Sequence, residues 1–322
     1  MRRQFLWSAL AAAALGAIAP AALAQPGWPS KPIRVVLSFP PGGPTDIVMR
    51  VAAEKMQADF RQPIVIENKP GAGGNLAAAE VARAAADGHT WLWSTDTVFS
   101  VNPHVYPRLG FKPQDLVPVT LASAFSQTLV CNPAAGVRTL PELLKKARAT
   151  RLSYASGGNG VPGHLAMELL LASTGVDMDH VPYKGPALAV QDVIGGVLPC
   201  GFLAGPTVLP HVRSGRLLAL AVSGARRSPV LPEVPTVAEA GVAGFDATFF
   251  TGLSAPRGTP DEVQQRFRDS LARALKDPAV VEKLKLTDQE VVSSTPAQAR
   301  LTLEQVSTKW GAVARKIGLQ QD

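Results

Sequence analysis

The segment that most constrains the fold is an apolar run that ends in glycines and leads directly into a helical pattern. It reads Ile33-Arg-Val-Val-Leu-Ser-Phe-Pro-Pro-Gly-Gly-Pro-Thr-Asp46. The same order returns at residues 152–160, which lead into a helical run at residues 164–172. A strand that turns through glycines into a helix N-terminus directs unpaired backbone N–H groups at one point, which attracts anions. The two loops therefore predict a site that holds an anionic group between them.

Strand-like and helical runs alternate along most of the chain. This alternation predicts an α/β fold with mainly parallel sheets, and ligands bound beyond the carboxyl ends of the strands. Two extended segments, residues 117–125 and 249–256, have the length and apolar character to cross between two lobes. We therefore expect one lobe formed by residues 25–124 and 251–322, and a second lobe, residues 125–250, inserted into it.

The first 24 residues have the pattern of a cleavable signal peptide. Residues 1–4 are positively charged, residues 5–22 are apolar, and Ala22-Leu-Ala24 supplies the small residues that a signal peptidase reads. We expect cleavage before Gln25 and a soluble periplasmic protein. Export through the Sec pathway fits this segment, and Arg2-Arg3 also fits a twin-arginine signal. The alternative is an uncleaved membrane anchor, which the polar, proline-rich sequence after the cleavage site disfavours.

Composition narrows the class of partner. Loss of Arg2 and Arg3 with the signal peptide lowers the formal net charge from +7 to +5, and the remaining basic residues are scattered. Because they form no stripe and alternate with no aromatic residues, we expect no nucleic-acid partner. The five histidines show no metal-ligand spacing, so neither a metal nor another cofactor is expected. Cys131 and Cys200 lie in apolar runs, and both buried thiols and a disulfide remain open.

Taken in order, the motifs resemble a known family, the periplasmic solute receptors of tripartite tricarboxylate transporters (Bug or TctC-type proteins). The resemblance implies a two-lobe periplasmic binding protein of type II (Venus-flytrap), with two crossover strands, that closes over a carboxylated ligand. It also implies a monomeric receptor without enzymatic activity that delivers its ligand to membrane permease subunits. The motifs that carry the resemblance are Trp28-Pro-Ser-Lys-Pro-Ile33, Phe39-Pro-Pro-Gly-Gly43 with Asp46, Val65-Ile-Glu-Asn-Lys-Pro-Gly-Ala-Gly-Gly74, Asp87-Gly-His-Thr90, Asn102-Pro103, Val181-Pro-Tyr-Lys-Gly185, Leu231-Pro-Glu-Val-Pro-Thr236 and Ala255-Pro256.

Candidate ligand-binding residues come from the glycine-rich loops and from the motifs of this resemblance. Asp46 is interpreted as a helix cap and loop organiser, because a bare carboxylate would repel an anion. No catalytic residue is expected, since Ser156 does not lie within a G-x-S-x-G motif. The candidates are Phe39, Pro41, Gly42, Gly43, Thr45, Asp46, Asn75, Ser94, Thr95, Ser156, Gly157, Gly158, Asn159, Gly160, His164, Tyr183, Lys184 and Gly185.

A second function is also compatible with the second loop. Gly158-Asn-Gly-Val-Pro-Gly163 matches the G-x-G-x-x-G pattern, and Asp177 and Asp179 follow at about the distance of a ribose-binding acid. This pattern would suit an NAD(P)-dependent oxidoreductase exported through the twin-arginine pathway. Pro162 within the turn and the position of the motif in the middle of the chain argue against it.

Overall fold

The computed structural model of the chain describes residues 27–320, so the predicted signal peptide and its cleavage site lie outside the described residues. One sheet contains six strands, β1 (Ile33–Leu37), β2 (Ile64–Asn68), β3 (Thr90–Thr95), β4 (Leu116–Phe125), β10 (Phe249–Pro256) and β11 (Gln289–Val291). The other contains five strands, β5 (Gln127–Cys131), β6 (Ser153–Ser156), β7 (Asp179–Pro182), β8 (Cys200–Ala204) and β9 (Leu218–Val222). Their spatial orders are β11-β4-β10-β3-β1-β2 and β7-β6-β8-β5-β9.

Each sheet carries its own helices. The six-stranded sheet and its helices form lobe 1, and the five-stranded sheet and its helices form lobe 2. The predicted two-lobe α/β fold is therefore confirmed. The helices of lobe 1 are α1 (Pro44–Phe60), α2 (Asn75–Ala82), α3 (Thr97–Ser100), α4 (Asn102–Val105), α9 (Asp261–Lys276), α10 (Pro278–Lys285) and α11 (Pro296–Ile317). Those of lobe 2 are α5 (Leu140–Ala149), α6 (Pro162–Thr174), α7 (Pro186–Ile194) and α8 (Gly205–Arg213).

The strand pairings correct one expectation, since only two of the five pairings in the six-stranded sheet and two of the four in the five-stranded sheet are parallel. β1 runs parallel to β2 and β3, and β6 runs parallel to β7 and β8. The strands that connect the lobes run the other way: β10 is antiparallel to β3 and β4, and β5 is antiparallel to β8 and β9. Both sheets are mixed because each receives a strand from a crossover instead of from a β-α-β unit.

The chain crosses between the lobes twice, and Ser223 is hydrogen-bonded to residues beside both crossover segments. β4 ends at Phe125 and β5 begins at Gln127, whereas the return reaches β10 at Phe249. The N–H of Ser223 donates to the carbonyl of Gln127 at 2.8 Å, and its hydroxyl donates to the carbonyl of Ala247 at 2.8 Å. The predicted lobe boundaries, between residues 124 and 125 and between residues 250 and 251, stay a prediction. The ends of β4 and β10 support them.

The packing of α11 spans the two lobes. Thr295 and Gln298 form a capping box at its start, which fixes where the helix begins. Trp310 is buried and stacks on Phe249, with ring centroids 5.5 Å apart. The same helix packs on β4 of lobe 1 and on α6 of lobe 2. None of the helices within residues 27–320 is long and apolar enough to cross a membrane.

Candidate functional site

The first glycine-rich loop follows β1 and ends where α1 begins. Gly42 has a φ of +82°, a conformation that glycine adopts without strain. The carboxylate of Asp46 accepts hydrogen bonds from the N–H of Gly42 at 3.1 Å, Arg50 at 2.9 Å and Asn68 at 3.1 Å. Burial raises the pKa of Asp46, but the hydrogen bonds from Arg50, Gly42 and Asn68 outweigh this effect and lower the pKa below its usual value. Asp46 therefore holds the loop in shape as a charged, fully paired group.

The second loop follows β6 and ends where α6 begins. Gly158 and Gly160 have φ values of +142° and +68°. Ser156 anchors the turn, because its Oγ accepts from the N–H of Gly158 at 3.2 Å and lies 2.6 Å from Nε2 of His180. The N–H of Gly160 donates to Nδ1 of His164 at 3.0 Å. Side chains of lobe 2 thus fix the backbone of this loop.

A layer of aromatic rings lies beneath the second loop. The rings of His164 and His180 stack face to face, with centroids 3.9 Å apart and planes at 8°. Burial, together with repulsion from His180, lowers the pKa of His164 to about 3, and burial lowers the pKa of His180 to about 4. Tyr154 stacks on the other side of His180 and donates to Glu168 at 2.6 Å. Both imidazoles are therefore neutral near pH 7, which leaves Nδ1 of His164 able to accept from the loop.

The third segment, residues 183–185, follows β7 and leads into α7. Gly185 has a φ of +116°, and its N–H donates to the carbonyl of Gly157 at 3.0 Å, which joins this segment to the second loop. The hydroxyl of Tyr183 donates to Asp192 on α7. Lys184 is exposed. The segment therefore presents Gly185 to the space between the lobes, while the hydroxyl of Tyr183 is already paired.

Four helix N-termini converge on one cavity between the lobes. Its walls include the starts of α1 (Gly43, Pro44), α6 (Val161, Pro162) and α7 (Gly185, Pro186), and Ala204, the residue before α8. The cavity volume is ≈ 70 Å³, so only a small ligand group fits between the lobes in this arrangement. Among residues 27–320, no Asp, Glu, Lys, Arg or His lines it.

These four helices share a further property, because no side chain caps them. Their N-cap residues are Gly43, Val161, Gly185 and Ala204, and none of these makes a side-chain capping bond. Of the other helices, α5, α10 and α11 are capped by the side chains of Thr139, Asp277 and Thr295, whereas α2, α3, α4 and α9 also have no side-chain cap. Without a capping oxygen, first-turn N–H groups remain available to a ligand. Each helix also contributes about +0.5 charge at its N-terminus.

Three polar side chains lie among the lining residues. Thr45 is 1% exposed, and its Oγ1 has no hydrogen-bond partner among the described residues. The Oγ1 of Thr95 lies 2.5 Å from that of Thr97. The side-chain amide of Gln127 donates only a long bond, 3.4 Å, to the carbonyl of Ser126. Thr45 and Gln127 therefore keep hydrogen-bonding capacity that a ligand could use.

The residues predicted from the sequence fall into three groups. Some line the cavity, namely Phe39, Gly43, Thr45, Thr95, Gly157 and Gly185. Others build the two loops without lining it, namely Pro41, Gly42, Ser156, Gly158, Asn159, Gly160 and His164. Asp46, Asn75, Ser94, Tyr183 and Lys184 lie outside the lining: Asn75 accepts from Asn102 at 2.7 Å, and Ser94 lines a separate small crevice.

Sequence reasoning missed part of the lining. Phe125 and Gln127 reach the cavity from the first crossover, and Phe202 and Leu203 reach it from β8. A local signal was Ser126-Gln-Thr128, a short polar stretch between two apolar runs where the chain leaves the first lobe. Phe202 and Leu203 look like ordinary strand residues, because only the pairing of β8 with β5 and β6 brings them to the cavity.

The structure gives the G-x-G-x-x-G pattern an explanation without a dinucleotide. A Cβ on Gly163 would lie 2.2 Å from the carbonyl oxygen of Phe202, so close helix–strand packing requires this glycine. Asp177 precedes β7, and Asp179 is its first residue, paired with Arg151. A ribose-binding acid would instead lie at the carboxyl end of the strand, beside the loop. The arrangement thus favours the receptor over the oxidoreductase.

Two α/β lobes, two crossovers and an anion-attracting cavity between them define a two-lobe solute receptor. The family model of the "Tripartite tricarboxylate transporter family receptor" matches residues 48–319. Protein BugT of Bordetella pertussis is 36% identical over 309 residues, which cover 94% of this chain and 95% of BugT. The chain therefore belongs to the tripartite tricarboxylate transporter receptor family.

Solved structures agree in fold. R. palustris Rpa4515 with adipate is 32% identical, with a TM-score of 0.87 over 91% of this chain and 99% of that one. The periplasmic binding protein BugD is 31% identical, with a TM-score of 0.85 over 92% of this chain and 100% of that one. The two-lobe architecture is thus shared along nearly the whole described chain.

Proposed function

We propose that this protein is a periplasmic receptor that captures a small carboxylate between its lobes. It then delivers the ligand to the membrane permease subunits of a tripartite tricarboxylate-type transporter. The observation that carries this proposal is the convergence of four uncapped helix N-termini on one cavity that no charged side chain among the described residues lines. The adipate in the related Rpa4515 structure supports the ligand class.

Backbone amides would hold the charge of the ligand. The helices that contribute them start on both lobes, α1 on lobe 1 and α6, α7 and α8 on lobe 2. A carboxylate between them accepts hydrogen bonds that are charge-assisted, and these are roughly twice as strong as neutral ones. Because the bonds come from two lobes, the ligand also stabilises the closed arrangement, as expected for hinge closure.

The side chains have distinct proposed roles. Thr45 would donate its buried hydroxyl to the carboxylate, and Gln127 would contact the ligand at the crossover. Asp46, Ser156 and His164 would position the loops without touching the ligand, as their hydrogen bonds within those loops suggest. We propose binding without catalysis, because the lining offers no acid–base side chain among the residues that the structure describes.

The signal-like pattern of residues 1–24 and the family support a role outside the cytoplasm. We propose that residues 1–24 are removed and that the mature protein acts in the periplasm as a monomer. Intact-mass analysis of periplasmic extract should give a chain that starts at Gln25. Recovery of the protein only in membranes after a high-salt wash would contradict this part of the proposal.

A thermal-shift screen tests the ligand class. A ligand at 100 times its Kd stabilises the folded protein by about 2.7 kcal/mol, which raises the Tm of a chain of this size by about 4 °C. The screen should include aliphatic and aromatic carboxylates, the matching neutral amides, sugars and NAD⁺. We expect shifts with carboxylates and none with their amides. Shifts with a sugar or NAD⁺, and none with any carboxylate, would overturn the proposed function.

A further inference from the structure

We infer that the preferred ligand carries a single carboxylate on an apolar body. This inference rests on the proposed function, since it concerns the same cavity. It follows from a contrast within the lining. The helix N-termini gather favourable charge for one anionic group, and the remaining walls are mainly hydrocarbon, with Thr45, Thr95 and Gln127 as the polar side chains.

The apolar walls come from both lobes and from the crossover. Phe39 and Pro40 line the cavity from lobe 1, Phe125 from the end of β4, and Phe202 and Leu203 from β8. Flat aromatic and proline surfaces on several sides suit an aliphatic chain or an aromatic ring. A body of this kind gains affinity by leaving water, in proportion to the apolar area it buries.

A second carboxylate would find no cationic side chain among the described residues of the lining, and it would compete with the first carboxylate for the same first-turn amides. The cations that lie near it along the chain are committed elsewhere or directed into solvent: Arg50 is bonded to Asp46 and Asn68, and Lys184 is exposed and outside the lining. An ionised group that loses water without gaining a partner is strongly disfavoured. Gln127 and Thr95 could accommodate one neutral polar substituent, such as a hydroxyl or keto group.

Calorimetry with matched ligand pairs tests the inference on the mature wild-type protein. Hexanoate and adipate have the same number of carbons and differ by one carboxylate. Benzoate and terephthalate have the same benzene ring and likewise differ by one carboxylate. We expect the monocarboxylate of a pair to bind at least tenfold more tightly. If the dicarboxylate binds equally or more tightly, the receptor function stands and this inference is wrong. If no carboxylate of either type binds, the proposed function itself fails.

A charge-introducing variant provides a second test. Phe39 is half-buried at the cavity, so Phe39→Arg would place a cation where a second carboxylate could reach it. We expect this variant to shift the preference toward adipate by at least tenfold. Leu188→Arg is the matched control, because Leu188 is 54% exposed on α7 and outside the lining. The Leu188→Arg variant should keep the ligand preference of the wild-type protein. An unchanged preference in a folded Phe39→Arg protein would contradict the inference.

An independent observation concerns the two cysteines, which are fully buried thiols directly opposite each other on β5 and β8. The next pair along the two strands is Asn132 and Pro199, and the N–H of Asn132 donates to the carbonyl of Pro199 at 2.9 Å. Asn132 and Pro199 are therefore a hydrogen-bonded pair of the antiparallel ladder. Cys131 and Cys200 therefore form a non-hydrogen-bonded pair, whose Cα atoms lie about 4.5 Å apart in antiparallel sheets. Disulfides span Cα separations of about 4.4–6.8 Å.

We propose that Cys131 and Cys200 form a disulfide in the exported protein. A periplasmic protein disulfide would act as oxidant: the two thiols lose their hydrogens to form one S–S bond, and the oxidant is reduced to two thiols. The bond would enclose β6, α6, β7 and α7, which carry the second loop and two of the four helix N-termini. It would thus brace the half of the cavity that lobe 2 supplies.

The Cys200 thiol and burial hold the pKa of the Cys131 thiol well above its usual value. Because the thiolate is the reacting form, thiol–disulfide exchange with the oxidant should occur before lobe 2 is fully folded. The test is alkylation of the denatured, unreduced periplasmic protein, followed by intact-mass analysis. We expect no alkylated cysteine and a chain lighter by two hydrogen atoms, whereas prior reduction should give two alkylated cysteines. Cys131→Ser, as the control, should show one alkylated cysteine without reduction. Two alkylated cysteines in the unreduced wild-type protein would overturn the proposal.

Discussion

Replacement of Thr45 by valine separates ligand binding from stability. The hydroxyl of Thr45 is buried in the first turn of α1, lines the cavity and has no hydrogen-bond partner among the described residues. Valine has nearly the same shape but no polar atom. An unpartnered buried polar group costs roughly 1–3 kcal/mol, so we expect Thr45→Val to stabilise the ligand-free protein by about 1 kcal/mol or more.

The same substitution should weaken ligand binding. A hydrogen bond to a charged group contributes about 1.5–3 kcal/mol, and 1.4 kcal/mol corresponds to a tenfold change in Kd. We therefore expect an increase in Kd of about 10- to 100-fold, measured by calorimetry with the ligand that the screen identifies. Urea unfolding of the ligand-free protein gives the stability change.

Thr45→Ser is the matched control for this experiment. It keeps the hydroxyl and loses only a methyl group, so its Kd should stay within a few-fold of the wild-type value. If Thr45→Val binds with wild-type affinity, the hydroxyl does not contact the ligand, and the assignment of Thr45 is wrong. Equal losses of affinity in both variants would point to packing instead of hydrogen bonding.

Three further predictions concern the loops and a buried acid. Gly158 has a φ of +142°, so Gly158→Val should strain the second loop and largely abolish binding in a folded protein. Lys184 is exposed and outside the lining, so Lys184→Ala should leave the Kd within a few-fold of the wild-type value by calorimetry; the reverse result would favour a salt-bridge pocket. His164→Ala removes the acceptor for the N–H of Gly160 and should weaken ligand binding about tenfold. His164→Asn keeps an acceptor, so it should bind the ligand more tightly than His164→Ala. Equal affinity of the two variants would exclude this positioning role of His164. Burial raises the pKa of Asp96 to about 6, so the folded protein binds this proton more tightly than the unfolded chain, and the resulting stability is lost as pH rises through 6. The stability of Asp96→Asn relative to wild type should therefore rise by about 2 kcal/mol between pH 4 and pH 7 in urea unfolding; a pH-independent difference would refute the raised pKa.

Local chemistry made the two loops predictable from the sequence. Glycines such as Gly42 and Gly158 occupy positive-φ positions, and prolines at the first helical position, such as Pro44 and Pro162, mark where the helices begin. These signals depend on a few neighbouring residues, so they can be read without knowledge of the tertiary fold. The two extended segments at residues 117–125 and 249–256, together with the family resemblance, then predicted the two-lobe arrangement.

Long-range pairing determines the parts that the sequence could not predict. Tyr183 is a candidate ligand-binding residue by its sequence, but its hydroxyl donates to Asp192 once α7 brings that carboxylate close. Phe202 enters the cavity only through the pairing of β8 with its neighbours. The antiparallel direction of β5 and β10 likewise follows from the path of the chain between lobes, which no local pattern encodes.

The most direct test of the central claim observes the helix N-termini themselves. A ¹⁵N-labelled sample of the mature protein, titrated with the bound carboxylate, would report the amide signals of first-turn residues such as Thr45 on α1, Gly163 on α6, Ala187 on α7 and Thr207 on α8. If backbone amides of both lobes hold the anion, these signals should shift together with one common Kd. Shifts confined to lysine or arginine side chains, with the first-turn amides unmoved, would contradict the account.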